Sequence, residues 1–268
     1  MNNQTYQVAI LDLDGTIVKY DENYVSERTL SCLEKWKECG NQIGIATGRT
    51  WIECQQLVDI IQPSWPVICY DGRLIYDYKK NEVIWKQTIS NSKVQQIISA
   101  FQDDFYIFQE EMSSIYAFDQ ISALLFSMAF KVNRKKIKFG SQPKSNPFRL
   151  YIKSKNKYNS FSFEMESKIR KLLGEKYEVF LAGDEWLIIY IKEANKLTAI
   201  QMLTKYYKVS MAQIIAFGDG ENDLNMLQNV GLGVAMKNAN SEIKNAANLV
   251  ADTVDNDGVA KIISNLLK

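Results

Sequence analysis

Asp12 and Asp14 stand two apart at the end of a short apolar run, Val8-Ala9-Ile10-Leu11-Asp12-Leu13-Asp14-Gly15-Thr16. Two carboxylates this close repel unless a cation or a shared proton relieves them, so the pair implies a metal ion or acid–base work. A second acidic cluster, Gly218-Asp219-Gly220-Glu221-Asn222-Asp223, follows another apolar run, Gln213–Phe217. Between them in sequence lie Thr47-Gly48-Arg49, ahead of a helical pattern, and Lys196, which opens one. Backbone N–H groups at a helix start favour an anion. Three or four carboxylates with one hydroxyl and one lysine suit a Mg²⁺ ion plus a phosphate, because Mg²⁺ takes a few oxygen ligands together with phosphate oxygens. A lysine and backbone N–H groups neutralise the charge that phosphoryl transfer spreads. Taken singly, each residue also has a plainer role: an Asx-turn at Asp12–Asp14, a helix cap at Thr47, an exposed helix lysine at 196, and loop or cap residues at Asp219 and Asp223.

These groups need elements to carry them. Val8–Leu11 reads as a strand buried on both faces, the kind found in parallel sheets. Side chains two apart on it point the same way, so both carboxylates project from its carboxyl end, where open α/β sheets bind ligands. Gly15 permits the turn and Thr16 can hold it. The pattern continues as a helix from Ser26 to Cys39, a strand at Gln42–Ala46, a helix from Thr50 to Ile61 and a strand at Val67–Tyr70. Such alternation indicates a parallel sheet with right-handed crossovers. From Leu74 to Tyr190 the alternation stops: hairpins at Leu74–Lys86 and Tyr177–Ile191 and segregated helices suggest an α+β unit inserted into the α/β host. The α/β pattern resumes with a helix from Lys196 to Tyr207 and runs to the closing helix, Val259 to Leu267. The expected organisation is therefore a Rossmann-like, doubly wound core at 1–73 and 192–268, with the insert at 74–191.

Composition narrows the chemistry. The 268 residues carry a formal net charge of +1 and contain no histidine, so catalysis must run on carboxylates, lysine, hydroxyls or a metal. Near-balanced charge argues against a dedicated nucleic-acid binder, and the basic residues Lys131, Arg134, Lys135, Lys136, Lys138 and Lys144 read as a solvated loop. The longest apolar run, Ile121–Phe130, is too short to span a bilayer, and Met1–Tyr6 shows no leader pattern, so a soluble cytoplasmic protein is expected. Cys32, Cys39, Cys54 and Cys69 form no CxxC pair and read as buried free thiols.

The set DLDGT at 12–16, IATGR at 45–49, Lys196 and FGDGENDLNML at 217–227 resembles the haloacid dehalogenase superfamily. More narrowly it is similar to the Cof-type (type IIB) phosphatases, whose α+β cap is inserted between the second and third core motifs. All four motifs occur in order and the insert lies where that cap belongs, so the resemblance covers essentially the whole chain. It implies that Asp12 is the nucleophile and forms an aspartyl-phosphate. Asp14 would serve as general acid and then as general base. Thr47, the Gly48 backbone and Lys196 would hold the phosphoryl group. Mg²⁺ would bind Asp219, Asp12 and the backbone carbonyl of Asp14, with Asp223 supporting it. Asn222 would contact the phosphate or orient Lys196. The cap would close over a small phosphorylated metabolite such as a sugar phosphate, a nucleotide or a phosphorylated cofactor. Arg73, Asp184, Glu185 and Trp186 are candidates for substrate contacts because they lie near the cap boundaries or at a hairpin tip.

Two segments depart from the family pattern. Asp71-Gly72-Arg73 replaces the usual Asn-Gly-small junction, and its charges either alter access of the substrate or pair internally. Lys192-Glu193-Ala194-Asn195 lacks the small residue usual beside the lysine. Neither removes a catalytic group. A phosphomutase and a non-catalytic phosphate- or metal-binding module are the competing readings.

Overall fold

A strand with four consecutive apolar residues needs cover on both faces, and all four residues of Val8–Leu11 are fully buried. The computed structural model describes residues 6–20, 22–130, 134–140, 146–155, 163–183 and 185–268. Its first stretch supplies β1 (Val8–Leu11), α1 (Glu27–Glu38), β2 (Gln42–Ile45), α2 (Trp51–Ile61), β3 (Val67–Cys69), β4 (Leu74–Asp77) and β5 (Glu82–Lys86). The middle supplies α3 (Asn91–Phe101), β6 (Phe105–Glu110), β7 (Ile115–Ala117), α4 (Gln120–Phe130), β8 (Ile137–Phe139), β9 (Arg149–Ser154), α5 (Phe163–Leu173), β10 (Tyr177–Ala182) and β11 (Trp186–Ile191). The last supplies α6 (Lys196–Tyr207), β12 (Ile214–Gly218), α7 (Leu224–Asn229), β13 (Leu232–Met236), α8 (Ser241–Ala246), β14 (Leu249–Ala251) and α9 (Gly258–Leu266).

The core sheet runs β14-β13-β12-β1-β2, and every pairing in it is parallel. Leu11 stands opposite Ile45 on one side and Phe217 on the other. The carboxyl ends of β1, β2 and β12 therefore finish level, which brings their following loops to one edge. Val8 and Ile10 join Ile214, Ala216, Ala235 and residues of α6, α7 and α8 in one apolar layer. Ala9 and Leu11 point to the opposite face by strand alternation. There α1 contacts β2, α9 contacts β14, and the two helices pack on each other. The local chemistry that starts the helices is simple: the hydroxyls of Ser26 and Thr50 and the amide oxygen of Asn195 each accept a backbone N–H at N3. The cap of α2 is thus Thr50, in a capping box with Glu53, and Thr47 is left for other work.

The chain divides into two compact units, Met1–Lys86 with Ala194–Lys268, and Gln87–Glu193. The expected boundary after Arg73 moves to Lys86 because β4 pairs with β3 and β5 with β4, which ties that hairpin to the first unit. Among the described residues the second unit holds a six-stranded sheet, β10-β11-β9-β6-β7-β8, antiparallel except for β7 with β8. One face packs Ile107, Leu150, Ile152 and Ile189 against Val94, Ile97, Ile169 and Leu173 of α3 and α5. The other packs Phe108, Tyr151 and Trp186 against Ala123 and Phe126 of α4.

No helix among the described residues is long and apolar enough to cross a membrane. Cys32, Cys54 and Cys69 are buried free thiols, whereas Cys39 is exposed where α1 ends, contrary to expectation. In the basic stretch Arg134, Lys135 and Lys138 are exposed, and Lys131 and Lys144 lie outside the described residues.

Candidate active site

The backbone N–H of Asp12 donates to Phe217 O at 3.1 Å, so the residue after β1 is still held by the β12 ladder. Asp219 follows β12, at the same edge of the sheet. Lys196, the first residue of α6, is fully buried and reaches both acidic loops. Its Nζ donates to Asp12 Oδ1 at 2.6 Å and to Asp223 Oδ1 at 2.7 Å. The other oxygen of Asp223 accepts the backbone N–H groups of Asp219 and Gly220, each at 3.0 Å. Asp223 therefore caps its own loop and pairs with Lys196 at once. Asp12, Asp219 and Asp223 each offer one carboxylate oxygen, all within 4.8 Å of one another, and the three residues are buried.

Three carboxylates and one ammonium, taken out of water, leave a surplus of negative charge. Burial pushes the Asp12 carboxyl up to about 8; Lys196 pulls it down in part, and Asp223 adds to the rise. Burial and Asp223 likewise raise Asp219, while hydrogen bonds from Tyr20 and Thr16 hold it back. Burial alone would lower Lys196, but the carboxylates of Asp12, Asp223 and Asp71 outweigh it and hold the ammonium charged. The cluster can be relieved by a proton or by a divalent cation, and its hard oxygen donors suit Mg²⁺.

The carboxylate of Asp14 stands outside this trio. Arg49 grips it with two bonds, Nε at 2.8 Å and Nη2 at 2.6 Å, and itself donates to Glu22 O and Asn23 Oδ1. Thr47 is buried between strand and turn; its Oγ1 accepts the Arg49 N–H at 3.1 Å, and its carbonyl accepts the Asp71 N–H. Gly48 lies against Asp71 and Asn222: a Cβ there would stand 2.8 Å from Asp71 Oδ1. Asn222 is exposed and donates its amide to Asp71 Oδ1 at 2.8 Å. Asp71 thus intervenes between Asn222 and Lys196, acting on the lysine through its charge. Tyr70 and Asp71 both have left-handed backbones, φ 52° and 53°, a strain that loops near functional groups often carry.

The substrate-contact candidates fare differently. Arg73 belongs to the first unit and is buried, pairing with Asp71 at 3.6 Å and donating to Tyr70 O at 2.8 Å, so the junction's charges pair internally. Trp186 is also buried, among Phe108, Phe126 and Phe130, because it starts β11 and faces the α4 side of its sheet. It is a core residue. Glu185 is exposed and pairs with Lys153, whose ammonium lies 5.0 Å from the Trp186 ring centre. Asp184 lies outside the described residues. The sequence singles out none of Arg49, Tyr20 and Asn238 as a site residue. Arg49 was within the quoted IATGR, while Tyr20 and Asn238 carry no local signature. Both donate to Asp219 Oδ2, at 2.6 and 2.8 Å.

Comparison with known proteins identifies the family. Residues 9–263 match the model of the haloacid dehalogenase-like hydrolases, and the chain belongs to that family. Over 98% of both chains it is 27% identical to the 5-amino-6-(5-phospho-D-ribitylamino)uracil phosphatase YitU of Bacillus subtilis (strain 168). Its fold matches that of BT1666, a phosphatase of the same superfamily from Bacteroides thetaiotaomicron, with a TM-score of 0.78 and 24% identity over 99% of this chain and 96% of that one. It also matches the subclass IIB sugar phosphatase BT4131, with a TM-score of 0.69 and 21% identity over 97% and 98%. The parallel α/β core with its α+β insert is the architecture that the sequence led us to expect.

Proposed function

We propose that the chain is a Mg²⁺-dependent phosphomonoesterase that hydrolyses a small phosphorylated metabolite by way of an aspartyl-phosphate on Asp12. The observation that carries this reading is the single ammonium of Lys196 bonded to Asp12 and Asp223, beside Asp219, in a buried cluster. Asp12, Asp219 and the backbone carbonyl of Asp14 would hold the ion, with Asp223 supporting it. When bound, Mg²⁺ supplies positive charge that neutralises the phosphate and orients it.

The chain's own groups then divide the work. Asp12 attacks phosphorus through one carboxylate oxygen, with Lys196 bonded to Oδ1 and balancing its charge. As that O–P bond forms, the bond from phosphorus to the leaving alcohol breaks. Asp14 gives the alcohol oxygen its proton. Water then attacks the aspartyl-phosphate and loses a proton to Asp14, which frees inorganic phosphate and restores Asp12. Lys196, Thr47, the Gly48 N–H and Asn222 would hold the phosphoryl oxygens as charge moves onto them. Arg49 donates to both Asp14 oxygens and fixes the plane of that carboxylate, and one of those bonds must give way when Asp14 takes up or hands on a proton.

The similarity to a 5-amino-6-(5-phospho-D-ribitylamino)uracil phosphatase supports placing phosphorylated polyols beside sugar phosphates, nucleotides and phosphorylated cofactors in the substrate panel. Phosphate release from that panel is the test, with Mg²⁺ or with chelator, for the wild type and Asp12→Asn. Release that needs Mg²⁺ and disappears in Asp12→Asn is the expected result. Isomerisation without free phosphate would replace the reading with a mutase. Binding of Mg²⁺ and phosphate without turnover would replace it with a binding module.

A further inference from the structure

Asp219 is held unevenly. Its Oδ2 accepts the Tyr20 hydroxyl at 2.6 Å and the Asn238 amide at 2.8 Å. The same amide donates to Gly15 O at 3.0 Å, and a Cβ on Gly15 would come within 2.2 Å of Oδ2, so this oxygen is pressed against the β1 turn. Oδ1 has one weak donor, Thr16 Oγ1 at 3.3 Å, and that hydroxyl is also 3.5 Å from Asp12 Oδ2. Oδ2 is therefore tied into the protein, while Oδ1 faces Asp12.

Tyr20 stands out in this arrangement. The residue is 65% exposed, so apolar burial does little to fix its position. The bond to Asp219 ties it down. We propose that Tyr20 is a positioning residue for the metal: its hydroxyl, with Asn238, locks the Asp219 carboxylate so that Oδ1 is the oxygen offered to Mg²⁺. This rests on the metal-dependent reading above. A carboxylate turning on a single bond loses affinity when its other oxygen is unanchored, and groups that orient a ligand in this way are typically worth about 10- to 100-fold in metal affinity.

The test is Mg²⁺ binding by isothermal titration calorimetry to the full chain as wild type, Tyr20→Phe and Asp219→Asn. Tyr20→Phe removes one oxygen from an exposed side chain, and an unchanged thermal midpoint in chelator checks that the fold persists. The expected result is a Kd for Mg²⁺ about tenfold weaker in Tyr20→Phe, with binding lost in Asp219→Asn. The Mg²⁺ concentration for half-maximal phosphatase activity should shift by the same factor, while turnover at saturating Mg²⁺ falls by less. Equal or tighter binding by Tyr20→Phe, with Asp219→Asn still defective, overturns the role of Tyr20 and leaves the metal reading standing. A wild type that binds no Mg²⁺ overturns both.

Discussion

Lys196→Met removes the ammonium that both Asp12 and Asp223 engage, and its cost is predicted to depend on pH in a defined direction. Burial pushes the Asp12 carboxyl up to about 8, against 3.8 for an ordinary aspartate. The folded state thus holds a proton that the unfolded state releases, so this group's contribution is full below pH 3.8 and is lost as pH rises toward 8. Without Lys196 the Asp12 carboxyl rises further, since the lysine was lowering it. Below pH 8 the proton is present in both proteins, and the variant loses mainly the pair with Asp223, 2.7 Å long and fully buried. Breaking such a pair costs about 3–5 kcal/mol. Above pH 8 the wild-type Asp12 ionises beside its lysine and the variant's cannot, so the cost grows by about 1.4 kcal/mol per pH unit. Urea unfolding in chelator at pH 6.5 and pH 9, followed by tryptophan fluorescence, measures this. Of the five tryptophans, Trp36, Trp51, Trp65 and Trp85 lie in the first unit, so the signal reports the unit that holds the site. A cost that is the same at both pH values, or smaller at pH 9, would refute the assignment of Lys196 as the partner of an ionised Asp12.

Three other outcomes follow from the same geometry. Protons on Asp12 and Asp219, both raised by burial, must leave before a metal binds, so Mg²⁺ affinity should weaken as pH falls below about 8. Each competing proton contributes up to about tenfold per unit; calorimetry in buffers of different ionisation enthalpy reads the protons released, and a pH-independent Kd contradicts the account. Gly15→Ala should cost about 1–3 kcal/mol and weaken Mg²⁺ binding, because φ is +71° and the new Cβ would stand 2.2 Å from Asp219 Oδ2; chemical denaturation and calorimetry would show otherwise if both values were unchanged. Arg49→Lys replaces a two-point grip on Asp14 with a single donor and should lower kcat on the order of tenfold for alkyl phosphates. The loss should be smaller for p-nitrophenyl phosphate, whose leaving group needs little acid help, and equal losses on both substrates would count against Asp14 as the acid.

The core and the catalytic loops were legible because each signal is local. Val8–Leu11 announces a strand buried on both faces, and Asp12, Asp14 and Thr16 follow it within a turn. The same holds for Ile214–Gly218 and the Asp219–Asp223 loop. Where the geometry depends on pairs distant in sequence, the sequence was silent. Tyr20 and Asp219 are 199 residues apart, and nothing near Tyr20 marks it as a donor. Trp186 follows a hairpin turn and so reads as a surface aromatic, but strand alternation turns it inward against α4. The strands β6–β8 went unplaced, partly because Gln109 and Glu110 are buried polar residues that break the apolar pattern at the end of β6. Helix α4 registered only as an apolar run. For Arg73 the sequence left open a contact with substrate or an internal pair, and the choice turns on the left-handed backbone of its partner Asp71, which sequence does not announce.

The sheet order carries a consequence for how the protein is made. β1 pairs with β2 about thirty residues on, yet its other edge pairs with β12, where Val8 meets Ile214. During synthesis from the N-terminus, the unit Gln87–Glu193 is complete before β12 leaves the ribosome. Until then the nascent chain exposes one bare edge of a wholly apolar strand, a template for pairing with other chains. Closing that edge is a contact between residues far apart in sequence, which makes it slow. The strand that presents Asp12 is thus locked late, and the protein becomes competent for its chemistry only when the last quarter of its chain has docked.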